Sequence, residues 1–192
     1  MTVSVAPHSI FLVTGPVQAG KTTFLSSLVT RLEREHISAG GFLCPGTFSS
    51  GLRSGFELKQ VGTGTRLSLA AEEQKEGWVA FRRFWFNPLA FARGRQWIDR
   101  CLESRDSVVV IDEVGPMELA GGGWSDTLDM LAEQAGPVQC WSVRKPLVRE
   151  VMERWNISSG HVIDIRQETP KEALDRLLPF IRTKQNHGKD HG

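Results

Sequence analysis

Apolar positions along this chain change period several times, and each change marks an element. The run Ile10-Phe-Leu-Val13 is continuously apolar, as in a strand buried on both faces, and predicts a strand over 9–14. Apolar residues 24, 25, 28, 29 and 32 then share one helical face, which predicts a helix over 21–35. A second strand is expected at about 40–44, after the turn Ser38-Ala-Gly-Gly41. From 45 to 70 the alternation breaks into short extended pieces set apart by Pro45, Gly46, Gly51 and Gly55. There the stretches 56–61 and 66–69 flank Gly62-Thr-Gly64 and read as an antiparallel hairpin, a flap on the sheet. The regular pattern then resumes. A helix is expected over 89–104 and a fully apolar strand at Val108-Val-Val-Ile111. A helix over 125–134 stops at Gly136-Pro137, and a strand over 138–143, a helix over 146–155 and a strand over 161–165 follow. Thr169-Pro-Lys-Glu172 is a capping box with proline at the first helical position, so a final helix begins there and bends late at Pro179. Strands alternating with helices define an α/β fold of three layers: a mainly parallel central sheet, helices on both faces and an antiparallel hairpin flap. No repeat or linker divides it, so 1–183 is expected to form one domain and 184–192 a polar, frayed tail.

Composition narrows the functions available. Of 192 residues, 23 are lysine or arginine and 22 aspartate or glutamate, a balance that supplies no basic field for nucleic acid or an anionic membrane. Cys44, Cys101 and Cys140 lie too far apart for metal-ligand spacing and read as small buried hydrophobes in a reducing compartment. The five histidines are equally scattered. No leader pattern or spanning run is present, and a cytoplasmic monomer is expected.

Candidate chemistry enters at Gly15-Pro-Val-Gln-Ala-Gly20-Lys21-Thr22, which has every residue of the phosphate loop G-x-x-x-x-G-K-[ST], or Walker A motif, in register. It sits between the first strand and the first helix, the context in which the motif carries meaning. Small residues let backbone N–H groups curl round phosphate oxygens at the positive end of a helix. The nucleotide-binding set is therefore Gly15, Pro16, Val17, Gln18, Ala19, Gly20, Lys21, Thr22 and Thr23. Lys21 is assigned to the β- and γ-phosphates and the Thr22 hydroxyl to Mg2+. A second segment supplies what the loop lacks. Asp112, ending the apolar strand 108–111, is placed as the Walker B carboxylate for magnesium, and Glu113 as the group that prepares attacking water.

The segment Val110-Ile-Asp112-Glu113-Val-Gly115-Pro-Met-Glu118-Leu119 resembles the signature D-E-[IV]-G-P-M-E-L of the small P-loop nucleoside-triphosphatases, the family of the thermophilic and human cancer-related enzymes. Gly40-Gly-Phe42 and Gly51-Leu-Arg53-Ser-Gly55-Phe56 agree with it, and the likeness extends over most of 9–180. The resemblance implies magnesium-dependent hydrolysis of nucleoside triphosphates (ATP, GTP and others) to diphosphates and phosphate, with broad base tolerance. It also implies a strand between the loop strand and the 108–112 strand. Two segments depart from the family pattern. Leu43-Cys-Pro-Gly-Thr-Phe48 replaces a Glu-x-Arg continuation, and Trp141-Ser142-Val-Arg144 replaces a Thr-Val-His-like turn. Ser142 remains a candidate for sensing the γ-phosphate. Arg53 and Arg144 are candidates for the cation that stabilises the transition state. Glu118, near a helix start, is read as structural. The aromatic block at 78–97, interleaved with arginines, is read mainly as core, with base stacking by Trp78, Phe84 or Trp85 as the alternative. Two other functions use the same loop: a small-molecule or nucleotide kinase, and a nucleotide-dependent switch with negligible turnover.

Overall fold

The computed structural model describes residues 9–133 and 136–187. In chain order the strands are β1 (Ile10–Gly15), β2 (Ala39–Leu43), β3 (Gly46–Ser49), β4 (Leu52–Gln60), β5 (Arg66–Ala71), β6 (Val79–Phe81), β7 (Phe84–Phe86), β8 (Val108–Val114), β9 (Val138–Arg144) and β10 (Val162–Asp164). The helices are α1 (Lys21–Arg34), α2 (Pro88–Glu103), α3 (Pro116–Leu119), α4 (Ser125–Glu133), α5 (Val148–Arg154) and α6 (Pro170–His187). One sheet runs in the order β10-β1-β9-β8-β2-β4-β5-β7-β6, with β3 paired to β4. Its first five strands are parallel, and from β4 onward the pairing is antiparallel. β9 lies between β1 and β8, where the family resemblance puts a strand.

Period-2 alternation splits each apolar strand between two cores. Phe11 and Val13 of β1, Val108 and Val110 of β8, and Cys140 of β9 face α1 and α6. Ile10 and Leu12, Val109 and Ile111, and Trp141 and Val143 face α2, α4 and α5. Continuous apolar runs arise because helices cover both faces of a parallel sheet. Parity also aims the polar strand ends: Asp112 and Ser142 continue the 108/110 and 138/140 series and so point to the α1 side.

The flap is larger than the expected hairpin. β4 and β5 form it, β3 adds a strand on the other side of β4, and β6–β7 extend it from within the aromatic block. Those aromatics pack on one another and on α2: Phe84 on Phe56 at 5.4 Å, Phe86 on Phe91 at 5.9 Å, and Phe91 on Trp124 at 4.7 Å. Three-residue strands carry too few positions for a period to register, which is why they were not anticipated. The helix expected over 146–155 opens instead as a 3-10 turn at Lys145–Leu147, with Pro146 in its first turn, and continues as α5 from Val148. The capping box forms as predicted, Thr169 N–H donating to Glu172 Oε2 at 2.7 Å and Glu172 N–H to Thr169 Oγ1 at 3.3 Å. α6 runs through Pro179 to His187, and residues 188–192 of the expected tail lie outside the described residues.

β2 meets β8 by a close backbone approach. Gly41 has φ +99°, and a Cβ there would lie 2.1 Å from the Val110 carbonyl oxygen. Gly41→Ala should therefore cost on the order of 3 kcal/mol, lowering Tm by roughly 6–12 °C at about 2–4 °C per kcal/mol for this chain length. Thermal unfolding checks this, and an unchanged Tm would contradict the β2–β8 register.

Candidate active site

The loop between β1 and α1 is stabilised from within. Gly20, at φ +94°, turns the chain into α1, and Phe24 N–H closes the first helical turn on Gly20 O at 2.8 Å. Gln18 also has positive φ, at 58°. Lys21 is buried, and its ammonium reaches back to the Pro16 carbonyl at 3.2 Å. Residues 17–20 and Thr23 are exposed, and within the loop the Ala19 N–H donates to the Pro16 carbonyl at 3.3 Å. Burial lowers the Lys21 pKa. Glu113 and Asp112 oppose that shift, and Arg144 and Arg53 reinforce it.

Asp112 is the centre of the site. It is fully buried at the end of β8, where an unpaired carboxylate would be costly. Four donors converge on it. Oδ2 accepts from Thr22 Oγ1 at 2.7 Å and from the Cys44 N–H at 2.9 Å. Oδ1 accepts from the Glu113 N–H at 3.1 Å and from the Ser142 hydroxyl. Thr22 opens α1, Cys44 follows β2, and Ser142 lies on β9, so one carboxylate ties together the loop and three strands. Thr22 and Asp112, both assigned to magnesium from sequence, are thus brought within hydrogen-bond distance, and Ser142 joins them. The Cys44 amide had no sequence signal, because a main-chain donor is the same for any non-proline residue.

Glu113 differs from its neighbour. The β8–β9 register shifts between Ile111 and Val114, and Glu113 takes the left-handed conformation at φ 64°, rare for a non-glycine residue. Its N–H donates to Ser142 Oγ at 2.9 Å, which fixes the main chain and leaves the side chain free to project elsewhere. The carboxylate has a loose ion pair with Arg144, Nη2 to Oε2 at 3.7 Å. Burial raises its pKa and the Asp112 charge adds to the rise, while Arg144, Lys21 and Arg53 pull it down. Both arginines singled out from sequence thus act electrostatically on this carboxylate. Arg53 comes from β4 in the flap, its guanidinium over Phe56 at 4.8 Å and Phe48 at 5.3 Å, and its buried Nε has no partner among the described residues.

Glu118 is structural, as read from sequence. Its carboxylate accepts from Gly115 N–H at 2.9 Å and Trp124 N–H at 3.4 Å, pinning the loop that follows β8. Burial nevertheless pushes its pKa up to about 7. All three cysteines are buried and free, and burial holds Cys101 and Cys140 at about 12. Among the described residues no three His, Cys, Asp or Glu side chains cluster as a metal site, and no helix is long and apolar enough to cross a membrane.

A parallel sheet with a phosphate loop after β1, and a buried aspartate on a non-adjacent strand reaching the loop threonine, defines an α/β P-loop nucleotide-binding protein. A family model described as NTPase matches residues 10–175, and the chain belongs to that family. It is 33% identical over 189 residues to the nucleoside-triphosphatase THEP1 of Methanopyrus kandleri, covering 91% of this chain and 96% of that protein. It is 31% identical over 172 residues to the THEP1 of Ignicoccus hospitalis, covering 88% and 96%. Two solved structures share the fold. A human cancer-related nucleoside triphosphatase superposes with a TM-score of 0.63 at 22% identity, covering 94% of this chain and 98% of that one. THEP1 from Aquifex aeolicus superposes at 0.62 and 20%, covering 89% and 96%.

The raised Glu118 pKa has a consequence for stability. Below pH 4.5 the carboxyl is protonated in folded and unfolded chains alike. Between 4.5 and about 7 the unfolded chain releases the proton while the folded one keeps it, so stability falls as pH rises. Glu118→Gln should remove that part of the decline, flattening the Tm–pH profile across this window by several degrees. An unchanged slope would contradict the assignment.

Proposed function

We propose that this protein hydrolyses nucleoside 5′-triphosphates to diphosphates and inorganic phosphate, with magnesium and with broad base tolerance. The observation that carries this reading is the unequal state of the paired carboxylates. Among the described residues, four donors engage the Asp112 oxygens, whereas the Glu113 carboxylate holds a long ion pair and keeps lone pairs for a proton. Membership of the NTPase family supports it, as do relatives named nucleoside-triphosphatases.

The Thr22 hydroxyl and Asp112 carboxylate, 2.7 Å apart, are hard oxygen donors of the kind magnesium takes alongside phosphate oxygens and water. When bound there, magnesium would neutralise charge on the β- and γ-phosphate oxygens. The chain's own groups do the rest. Loop amides and Lys21 hold the phosphates. Glu113 accepts a proton from water as its oxygen bonds to the γ-phosphorus and the bond to the β,γ-bridging oxygen breaks. A raised pKa suits it to that task near neutrality. Ser142 keeps the Glu113 main chain in its left-handed conformation. Arg144 and Arg53 meet the negative charge of the transferring phosphoryl group, a contribution worth roughly 10³- to 10⁵-fold where a single arginine supplies it.

Phosphate release from ATP, GTP, CTP, UTP and ITP, with and without magnesium, tests the reading: all five should turn over, and only with the metal. Glu113→Gln should keep triphosphate affinity and lose about 10²- to 10⁴-fold in kcat. Full turnover by that variant would remove Glu113 from the mechanism. The acid limb of kcat/KM should report Glu113, because protonated Glu113 cannot act as base. Arg144→Ala, by deleting a cation that lowers this pKa, should move the limb to higher pH. Movement to lower pH would show that Arg144 does not act on Glu113.

A further inference from the structure

Arg53 comes from a strand whose regular ladder is broken beside it. β3 and β4 pair Gly46 with Phe56 and Thr47 with Gly55, but the next pair is Phe48 with Arg53, so Ser54 is an extra residue on β4. Side chains alternate along a strand, and in an unbroken ladder Arg53 would share the face of Gly55. The bulge at Ser54 moves it to the other face, the one shared by Gly46, Phe48 and Phe56. There its guanidinium lies over the Phe56 ring at 4.8 Å and the Phe48 ring at 5.3 Å. Ser54 stays with Thr47 on the opposite face, the two hydroxyl oxygens 3.4 Å apart. Gly46 completes the seat. A Cβ on it would come within 2.8 Å of Arg53 Cζ, 2.9 Å of Nε and 3.0 Å of Nη2, so the guanidinium rests where any other side chain would begin.

This seat holds the arginine without neutralising it. Among the described residues no carboxylate is ion-paired with Arg53, and its buried Nε has no hydrogen-bond partner. Ring faces attract a guanidinium and leave its N–H donors for an anion, whereas a carboxylate would take up both charge and donors. The main chain around it is fixed from the flap: Arg83 Nη2 donates to the Arg53 carbonyl at 3.3 Å, and Glu72 N–H to the Ser54 carbonyl at 3.0 Å. Gly46 also ties the seat to the site. It lies two residues from Cys44, hence at most about 7 Å away, and the Cys44 N–H donates to Asp112 Oδ2 at 2.9 Å. We propose that Gly46 is a positioning residue for hydrolysis: its lack of a side chain, with the Phe48 and Phe56 rings, keeps the Arg53 guanidinium preorganised and unneutralised for the γ-phosphoryl group. This deepens the reading given above and rests on it for the role of Arg53. Gly46 and Phe48 both fall in the segment 43–48, where this chain departs from the family pattern.

Gly46→Ala tests this because its strain falls on the movable end of one side chain. Gly46 is not in the left-handed region, so the backbone accepts alanine and the guanidinium must yield. Steady-state hydrolysis of ATP with magnesium and thermal unfolding are measured for the wild type, Gly46→Ala, Phe48→Ala, Arg53→Ala and the two double variants that combine Arg53→Ala with each of the others. Gly46→Ala should lower kcat at least about tenfold, with KM changed by no more than a few-fold and Tm by no more than about 4 °C. Phe48→Ala, at an exposed ring, should lower kcat by a few-fold. Neither should lower kcat further once residue 53 is alanine, because each acts through the Arg53 side chain. Losses that multiply in the double variants would overturn the proposal, since a general disturbance of the flap does not need Arg53. Wild-type kcat in Gly46→Ala and Phe48→Ala, with Arg53→Ala impaired, would overturn it alone and leave the hydrolytic reading standing. Wild-type kcat in Arg53→Ala would remove Arg53 from that reading and this inference with it. Should Gly46→Ala not fold, Phe48→Ala and its double variant decide.

Discussion

A carboxylate buried at the end of an apolar strand must find donors or destabilise the fold, and in this protein the donors of Asp112 come from four places in the chain. Thr22 arrives with the phosphate loop, the Cys44 amide with β2, Ser142 with β9 and the Glu113 amide with the strand itself. Satisfying one buried charge therefore sets the relative positions of the loop and three parallel strands. It also sets the next residue apart. Ser142 bonds both Asp112 and the Glu113 amide, so the strained backbone at Glu113 is held by the same network that neutralises its neighbour. The cost of a left-handed glutamate, on the order of 1–3 kcal/mol, is borne where it turns a carboxylate away from the Asp112 donors and toward Arg144.

The sheet divides the work. Its parallel half supplies the loop, the carboxylates, Ser142 and Arg144, all at the carboxyl ends of strands, where open α/β sheets gather their ligands. Its antiparallel half reaches back with Arg53. Positive charge from Lys21, Arg144 and Arg53 acts on Glu113, a carboxylate that burial alone would tend to protonate. In a site of limited solvent access these charges interact more strongly than they would in water. A flap carrying one of them couples its own placement to the electrostatics of the site.

Much of this was legible in the sequence for physical reasons. Doubly buried strands announce themselves as apolar runs, and strand parity alone sends Asp112 and Ser142 to the α1 side. The loop motif gave Lys21 and Thr22 their places because its spacing is set by backbone geometry. Other parts left no trace. β6 and β7 are too short to show a period, and the 78–97 aromatics, read mainly as core, are seen to pack on one another and on α2. The Cys44 amide belongs to the main chain. Glu118 was readable as structural because its place at a helix start after Gly115-Pro116 suits interaction with the helix dipole.

The central claim is that Asp112 joins the phosphate loop to the strand presenting the active glutamate, one carboxylate serving the metal and the other the water. A crystal structure of the wild-type protein with magnesium and a non-hydrolysable triphosphate analogue tests it most directly. The account predicts the metal on the Thr22 hydroxyl, with Asp112 in its immediate surroundings and a water hydrogen-bonded to Glu113 in line with the γ-phosphorus. A metal ligated by Glu113, with the four donors of Asp112 undisturbed and Thr22 still bonded to it, would contradict the account.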